Sequence, residues 1–212
     1  MSQRLAFELM GDLSSDLTGV ERPPHSHSAS VMNSSADLIA RARNGDQEAF
    51  RLIFDRYARP VLSFIYDLVG QRDLAEELAQ ETFVRAFKNL TQIRDDTKLS
   101  SWLFGISRNV ALEAVRSRQR DHRNHDAHAS LDVIEDTQLN PDQDLLQKEL
   151  NGAMNKALHS MNDEWRTIFV LKVLHQRSYQ EIAEITGFSL AKVKTDLHRA
   201  RLEMRRRMGP LL

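Results

Sequence analysis

The chain ends in a segment rich in cations, "GFSLAKVKTDLHRARLEMRRR", residues 187–207. At about 100° per residue, its apolar residues fall on one face of a helix and predict the buried side, namely Leu190, Val193, Leu197, Ala200 and Met204. Lys192, Thr195, His198 and Arg199 point away from that face, with Lys194 on the flank. In the major groove of DNA, Lys or Arg binds guanine and Thr packs on the thymine methyl. The pattern favours a DNA-binding helix over a solvated basic one, and several of Arg201, Arg205, Arg206 and Arg207 would contact phosphates.

An acidic residue, Asp196, stands among these cations. It lies four residues after Lys192 and three before Arg199, so it can pair with either and fix their rotamers. Alternatively, it could accept a hydrogen bond from a cytosine amino group. We favour the first role, because an acid that faces phosphates without a base partner would be repelled.

A second candidate surface lies on the helix predicted over 74–90. Its core face runs through Ala79, Phe83, Ala86 and Leu90, whereas Leu74, Leu78, Glu81 and Arg85 fall on the opposite face, flanked by Glu77 and Lys88. Leucines mixed with charges on a non-core face indicate a docking surface for another protein. The alternative is a second domain of this chain packed there.

The segment "SSWLFGISRNVALEAVRSRQR" places Trp102 and Phe104 beside a basic run that ends at Arg120. Aromatic rings that stack on bases, next to cations that hold phosphates, are typical of single-strand binding. The alternative is that Trp102 and its apolar neighbours belong mainly to the core. Asn109 is a candidate polar contact to a base or backbone.

Several classes of site are not supported by the sequence. There is no cysteine, no glycine-rich phosphate loop, no nucleophile–base pair and no catalytic carboxylate pair. We therefore predict no enzymatic activity, no catalytic residue, no cofactor, no small-molecule substrate and no metal site. No apolar run approaches the roughly 20 residues of a membrane span, and we expect a cytoplasmic protein without membrane insertion.

The elements that must position these residues are all helical. Asp46 is predicted to cap a long helix that ends at Gly70, and Pro60 should kink it. Asp73 with Glu76, and Ser178 with Glu181, have the spacing of capping boxes. A second group of helix-end signals comprises Ser100 or Ser101 as an N-cap for a helix through about Arg118, Gly187 as a stop, and Ser189 as the cap of the last helix.

These signals divide the chain into two helical domains. We predict a disordered extension over 1–33, a first domain over 34–120, a flexible acidic linker over 121–146 and a helix-turn-helix domain over 147–212. Net charge is −1, from 29 basic and 30 acidic residues, but the basic residues cluster on either side of the acidic linker. Two basic blocks indicate two surfaces for a polyanion.

Four segments together resemble a bacterial sigma factor of the extracytoplasmic-function type, group 4 of the sigma-70 family. They are "DLIARARNGDQEAFRLIFDRY", "DLAEELAQETFVRAFKNL", "SSWLFGISRNVALEAVRSR" and "SYQEIAEITGFSLAKVKTDLHRAR". The resemblance covers about residues 35–210, in the family's order. It departs from the family at Asp196, where many members carry Arg or Lys, and at Ala191, where Gly is common.

The resemblance implies an alternative sigma factor that binds core RNA polymerase, recognises the −10 and −35 promoter elements and aids DNA melting, under the control of an anti-sigma factor in a stress or envelope response. It implies contacts to the β′ coiled coil, and to β, through Glu77, Leu78, Gln80, Glu81 and Arg85. The −10 contacts would be Lys98, Trp102, Asn109, Arg116, Arg118 and Arg120. The −35 contacts would be Lys192, Lys194, Thr195, His198 and Arg199. Two other hypotheses remain open: a stand-alone helix-turn-helix regulator and a helical scaffold.

Overall fold

The described part of the chain is all α-helical. The structure, a computed structural model, describes residues 35–93, 95, 98–124 and 144–208, with the backbone alone for 35, 119, 121–124 and 144–151. These residues form eight α-helices: α1 Ser35–Arg43, α2 Gln47–Val69, α3 Arg72–Asn89, α4 Leu99–Asn124, α5 Asp144–His159, α6 Asp163–Phe169, α7 Tyr179–Thr186 and α8 Leu190–Met208. A 3₁₀ turn, Leu90–Gln92, follows α3, and a π-helical segment, Val170–Leu174, continues α6. The all-α prediction is confirmed, and the predicted extension over 1–33 lies outside the described residues.

Most of the predicted helix ends are confirmed. Asp46 caps α2 by accepting hydrogen bonds from the backbone N–H groups of Glu48 and Ala49, and α2 ends at Gly70 with φ of 72°. Both halves of the predicted capping box are present between Ser178 and Glu181. Ser189 Oγ accepts from the Lys192 N–H at 3.2 Å, which satisfies a donor that the helix itself leaves unpaired.

Three predicted ends are wrong. Helix α3 begins at Arg72, so Asp73 and Glu76 lie within it, and Glu76 pairs with Arg72 at 3.2 Å instead of closing a capping box. Helix α4 begins at Leu99, before the two serines proposed as its cap, and continues to Asn124 rather than Arg118. The extension has a simple cause, because no Gly or Pro follows Arg118 until Pro141.

The long helix α2 is at the centre of the N-terminal bundle. It runs through Pro60 and buries one side along its length. Three aromatic pairs join it to its neighbours: Phe50–Phe87 and Phe54–Phe83 with α3, at 4.8 and 4.7 Å between centroids, and Phe64–Phe104 with α4 at 5.1 Å. These contacts fix the orientation of α3 and α4, which carry the first two candidate surfaces.

The C-terminal half packs directly against this bundle. Helix α7 lies along α4, and the buried side chains of both halves form one continuous core. Polar contacts bridge the halves: His175 Nε2 lies 2.8 Å from Asp67 Oδ2, and Arg166 donates to the Leu68 carbonyl at 3.0 Å. The Arg177 guanidinium stacks 4.2 Å from the Phe104 ring centroid. The structure is therefore a closed arrangement of the two halves.

Helices α7 and α8, joined by a tight turn at Gly187, form the predicted helix-turn-helix. The turn has φ of 73° at Gly187, a left-handed conformation that favours glycine. Val193, Leu197 and Ala200 are buried as predicted. Leu190, also predicted to be core, is 46% exposed. It is the first residue of α8, and a helical side chain leans over the preceding turn, which does not exist there.

Candidate protein and nucleic-acid interfaces

The outward face of α8 presents most of the predicted DNA contacts to solvent. Lys194, Thr195, His198 and Arg199 are all exposed, and the opposite side of the helix packs on α6 and α5. The Lys194 ammonium also lies 5.9 Å from the Tyr179 ring of α7. This is the arrangement in which a recognition helix can enter a major groove while its far side stays in the core.

Lys192 is placed differently from the other predicted contacts. Its Nζ lies 2.5 Å from Asp196 Oδ2 and 2.7 Å from Glu164 Oε2, and 4.6 Å from the centroid of the Phe188 ring. Hydrogen bonds from Lys192 to Asp196, and then to Glu164, raise the pKa of Lys192. The predicted pairing of Asp196 with Lys192 is thus present, and Glu164 of α6 is a second acidic partner of Lys192.

Glu164 is a residue that the sequence argument missed. It precedes Lys192 by 28 positions and lies in the first turn of α6, so no local spacing links the two. Only the packing of α6 on α8 brings them together.

The outer face of α3 carries a charged network. Glu77 is exposed, and the Arg85 guanidinium bonds Glu81 at 2.8 Å and Glu113 of α4 at 2.8 Å. These hydrogen bonds from Arg85, above all the one to Glu81 and then the one to Glu113, raise the pKa of Arg85. Gln80 is half-buried beside them. The network presents acids and an arginine in a fixed arrangement on the surface.

Leu78 does not lie on that free face, and its predicted exposure is wrong. It is only 8% exposed, and the neighbouring stripe of Ala75 and Thr82 is fully buried. Helix α3 packs against α2 and α4 at once, so its buried stripe is wider than one core face. The predicted core residues Ala79, Phe83, Ala86 and Leu90 are buried as expected.

Helix α4 separates its aromatic residues from its cations. Phe104 is fully buried and Trp102 is half-buried against the core, which agrees with the alternative interpretation of the aromatics as mainly core. Asn109 is exposed, as are the cations further along the helix, Arg116, Arg118 and Arg120. Arg118 also donates a hydrogen bond to the Gln71 side chain.

The start of α4 faces the helix-turn-helix. Lys98 bonds Glu184 of α7 at 2.8 Å, and the Arg108 guanidinium lies 5.6 Å from the Phe188 ring centroid. Burial, together with the nearby charge of Arg116, lowers the pKa of Arg108. Arg108 was not among the predicted contacts. Part of the preceding loop, residues 94, 96 and 97, lies outside the described residues.

Two family models match this chain. The model described as sigma-70 region 2 matches residues 53–121, and the model described as sigma-70, region 4, matches residues 152–204. Together they span more than half of the chain and include all three surfaces. The chain belongs to the sigma-70 family.

Similar proteins place this sigma factor in the extracytoplasmic-function group. It is 29% identical over 180 residues to the ECF RNA polymerase sigma factor SigW of Bacillus subtilis (strain 168), covering 82% of this chain and 96% of that protein. It is 28% identical over 185 residues to the ECF RNA polymerase sigma-E factor of Escherichia coli (strain K12), covering 82% and 94%. These relatives are sigma factors, which regulate transcription rather than catalyse a reaction.

Solved structures show the same fold. The sigma factor RpoE, solved with the anti-sigma factor NepR from Bartonella quintana, aligns with a TM-score of 0.59 at 23% identity, over 76% of this chain and 96% of that one. CnrH, solved with the cytosolic domain of CnrY, aligns with a TM-score of 0.62 at 21% identity, over 84% and 99%.

The described residues contain neither a membrane-spanning helix nor a metal-binding cluster. None of the described helices has the length and hydropathy to cross a membrane. Within the same residues, no group of three or more His, Cys, Asp or Glu side chains is placed to hold a metal ion.

Proposed function

We propose that this sigma factor directs initiation by binding core polymerase through α3 and promoter DNA through α4 and α8. The observation that carries the proposal is the exposed row of Lys194, Thr195, His198 and Arg199 on a capped helix-turn-helix. It occurs in the same chain as a region 2 bundle with a separate charged surface. A stand-alone DNA-binding regulator has no need of that second surface.

The polymerase contact is proposed for the outer face of α3. Glu77, Gln80, Glu81 and Arg85 would bind the coiled coil of β′, where acidic and basic side chains set orientation and association rate. The Glu81–Arg85–Glu113 network fixes these groups before binding, which reduces the rotamer entropy lost on association. Leu78 supports this face from below as a core residue.

The −10 contact is proposed for α4. Arg116, Arg118 and Arg120 would hold phosphates of the opening duplex, and Asn109 would contact the non-template strand. Their exposure on one long helix supports this arrangement. Lys98 and the half-buried Trp102 would contact the −10 element near the N-terminal end of α4. Melting consumes no nucleotide, because capture of a base offsets the few kcal/mol of unstacking.

The −35 contact is proposed for the outward face of α8. Lys194 and Arg199 would bind guanines or phosphates, Thr195 would pack on a thymine methyl, and His198 would contact a base edge. The two proposed DNA surfaces belong to the predicted domains 34–120 and 147–212, whose bounds remain a prediction.

Run-off transcription with purified core polymerase tests the function. We expect the chain to bind core and to direct initiation at a subset of genomic promoters whose aligned upstream sequences share two elements. The proposal fails if the chain neither binds core nor directs initiation. Duplex binding without core activity would indicate a stand-alone regulator, and inactivity in both assays a scaffold.

We also propose that an anti-sigma factor controls this chain. RpoE, which has the same fold, was solved in complex with the anti-sigma factor NepR, and CnrH, also of this fold, was solved with the cytosolic domain of CnrY. Native copurification from cells that express the chain should yield a protein that suppresses run-off transcription when added back. A copurified protein that leaves run-off transcription unchanged would contradict its assignment as the anti-sigma factor.

A further inference from the structure

Lys192 and Lys194 lie two residues apart in α8, but Lys192 is bound by two carboxylates, whereas Lys194 is exposed and lies near only the Tyr179 ring. Building on the proposed −35 recognition, we propose that Glu164 and Asp196 are positioning residues that act on Lys192. They hold the Lys192 ammonium against Phe188 and away from DNA. Base recognition then falls to Lys194, Thr195, His198 and Arg199.

Three side chains contact the Lys192 ammonium from different sides. Asp196 approaches from the next turn of α8 at 2.5 Å, Glu164 from the first turn of α6 at 2.7 Å, and the Phe188 ring from the turn at 4.6 Å. The Lys192 side chain is 37% exposed, so the ammonium is reachable by water but is already bound on several sides. A lysine with two carboxylate partners must give up at least one of them to bind a phosphate.

The burial of Asp196 makes this arrangement hard to rearrange. Its side chain is 5% exposed, and its second oxygen, Oδ1, faces the Arg199 guanidinium at 3.6 Å. A buried carboxylate that loses its cation incurs a large desolvation penalty. Asp196 therefore keeps Lys192 beside it, whereas Arg199, whose side chain is 58% exposed, can still reach out. The same burial disfavours a direct contact of Asp196 with a cytosine.

The consequence is electrostatic. Two cations, Lys192 and Arg199, face two anions, Asp196 and Glu164, so these four side chains together carry no net charge. A free ammonium there would add a phosphate contact that any duplex offers, and would raise non-specific affinity as much as specific affinity. Holding Lys192 limits this sequence-independent contribution.

The test compares salt dependence and base preference in holoenzyme made with the full chain. A library of promoter duplexes with a randomised upstream element first gives the preferred −35 sequence for the wild type. Glu164→Gln and Asp196→Asn remove one negative charge each without changing shape. We expect the slope of log K against log salt to become steeper by about 0.9, the value for one added phosphate contact, together with weaker discrimination between preferred and random upstream sequences.

Glu48→Gln is the matched control. Glu48 pairs with Arg51 on α2, and its side chain is 54% exposed, close to the 51% of Glu164. Glu48→Gln changes the net charge by the same amount as Glu164→Gln, but far from α8. The inference is overturned if Glu164→Gln gives the same slope as Glu48→Gln. It is also overturned if Asp196→Asn changes the preferred base without changing the slope, since that would assign Asp196 to direct recognition.

Two lysine variants separate this inference from the proposed function. Lys194→Ala should weaken binding to the preferred duplex by roughly five- to 150-fold, the range for loss of a base contact, whereas Lys192→Ala should change it by less than about threefold. Equal losses of affinity in the two lysine variants would contradict the proposal that Lys192 is held away from DNA, but would not contradict the proposed −35 recognition. If the wild type shows no preference for any upstream sequence, the proposed function itself fails.

Discussion

At the scale of single residues, burial decides which charged groups are available. Lys192 and His198 both belong to the polar face of α8 in the sequence, but the first is bound by two acids and the second is exposed. Another histidine, His159, lies between the two halves, with Nδ1 3.3 Å from the Arg166 guanidinium. A side-chain carbon placed at Gly70 would lie 2.4 Å from His159 Nε2, so this imidazole fills the space that the glycine leaves.

His159 should make the free energy of unfolding depend on pH. Burial, and secondarily the charge of Arg166, lowers the pKa of His159 to about 4 from an ordinary value of 6.5. As pH falls below 6.5 the unfolded chain binds a proton that the folded chain does not, so the free energy of unfolding should decrease until about pH 4. Urea unfolding measured at intervals between pH 7 and pH 4 checks this.

The comparison for that prediction is between two variants. His159→Gln should flatten the pH dependence over this range, whereas His198→Gln, which changes an exposed histidine, should leave it as in the wild type. If His159→Gln and wild type lose stability in parallel, titration of His159 is not the cause.

At the scale of elements, α3 both packs in the core and carries the proposed polymerase contact, and residues with these two roles are interspersed along its sequence. It is packed on two sides by α2 and α4, which leaves only a narrow charged strip for a partner. Leu78 belongs to the packed side and Glu81 to the strip. A surface that rests on a helix held from two sides is rigid, which suits a contact that must be made without reordering.

Leu78→Ala should therefore affect mainly stability, whereas Glu81→Gln should affect mainly binding to core polymerase. Leu78→Ala removes buried methyl groups and should lower the free energy of unfolding by about 2–5 kcal/mol. Glu81→Gln removes only an exposed ion pair, typically worth about 0–1 kcal/mol, but should weaken binding to core polymerase. Thermal unfolding and a core-binding titration separate the two effects.

Glu76→Gln provides the control on the same helix, because Glu76 also forms an i,i+4 pair, with Arg72, away from the Glu81–Arg85 network. We expect it to bind core like the wild type. Equal weakening by Glu76→Gln and Glu81→Gln would argue against a localised contact at Glu81.

At the scale of the whole molecule, each half covers part of the other half's surface. Lys98, the residue before α4, pairs with Glu184 of α7, and Arg108 lies over Phe188 in the turn before α8. The −10 and −35 elements lie more than two turns of B-DNA apart, at roughly 34 Å per turn. The closed arrangement must therefore open before both elements can be bound at once.

A reversible crosslink tests that requirement. The chain contains no cysteine, so Lys98→Cys/Glu184→Cys introduces a unique pair. Joined by a bismaleimide with a reducible bond, this variant should lose run-off transcription and, after reduction, regain the activity of the same double variant that was never crosslinked. Glu48→Cys/Arg51→Cys, crosslinked within α2, is the control and should stay active. Full activity of the crosslinked Lys98/Glu184 variant would show that opening is not needed.

Elements whose signals are local could be predicted from the sequence alone. Helix periodicity, the caps at Asp46, Ser178 and Ser189, and the left-handed glycines at Gly70 and Gly187 act within a few residues, so they can be recognised without the fold. The family resemblance rests on the same local segments and was confirmed by both region models.

Which side chains of those helices are free depends on how the helices pack in the folded protein. Leu78 is buried because α3 is packed on two sides, and Lys192 is held because α6 brings Glu164 to it across 28 residues of chain. The pairs Asp67–His175 and Lys98–Glu184 join residues even further apart. A helical pattern states which residues share a face, but burial and charge pairing depend on what packs against that face, and that neighbour is set by the whole fold.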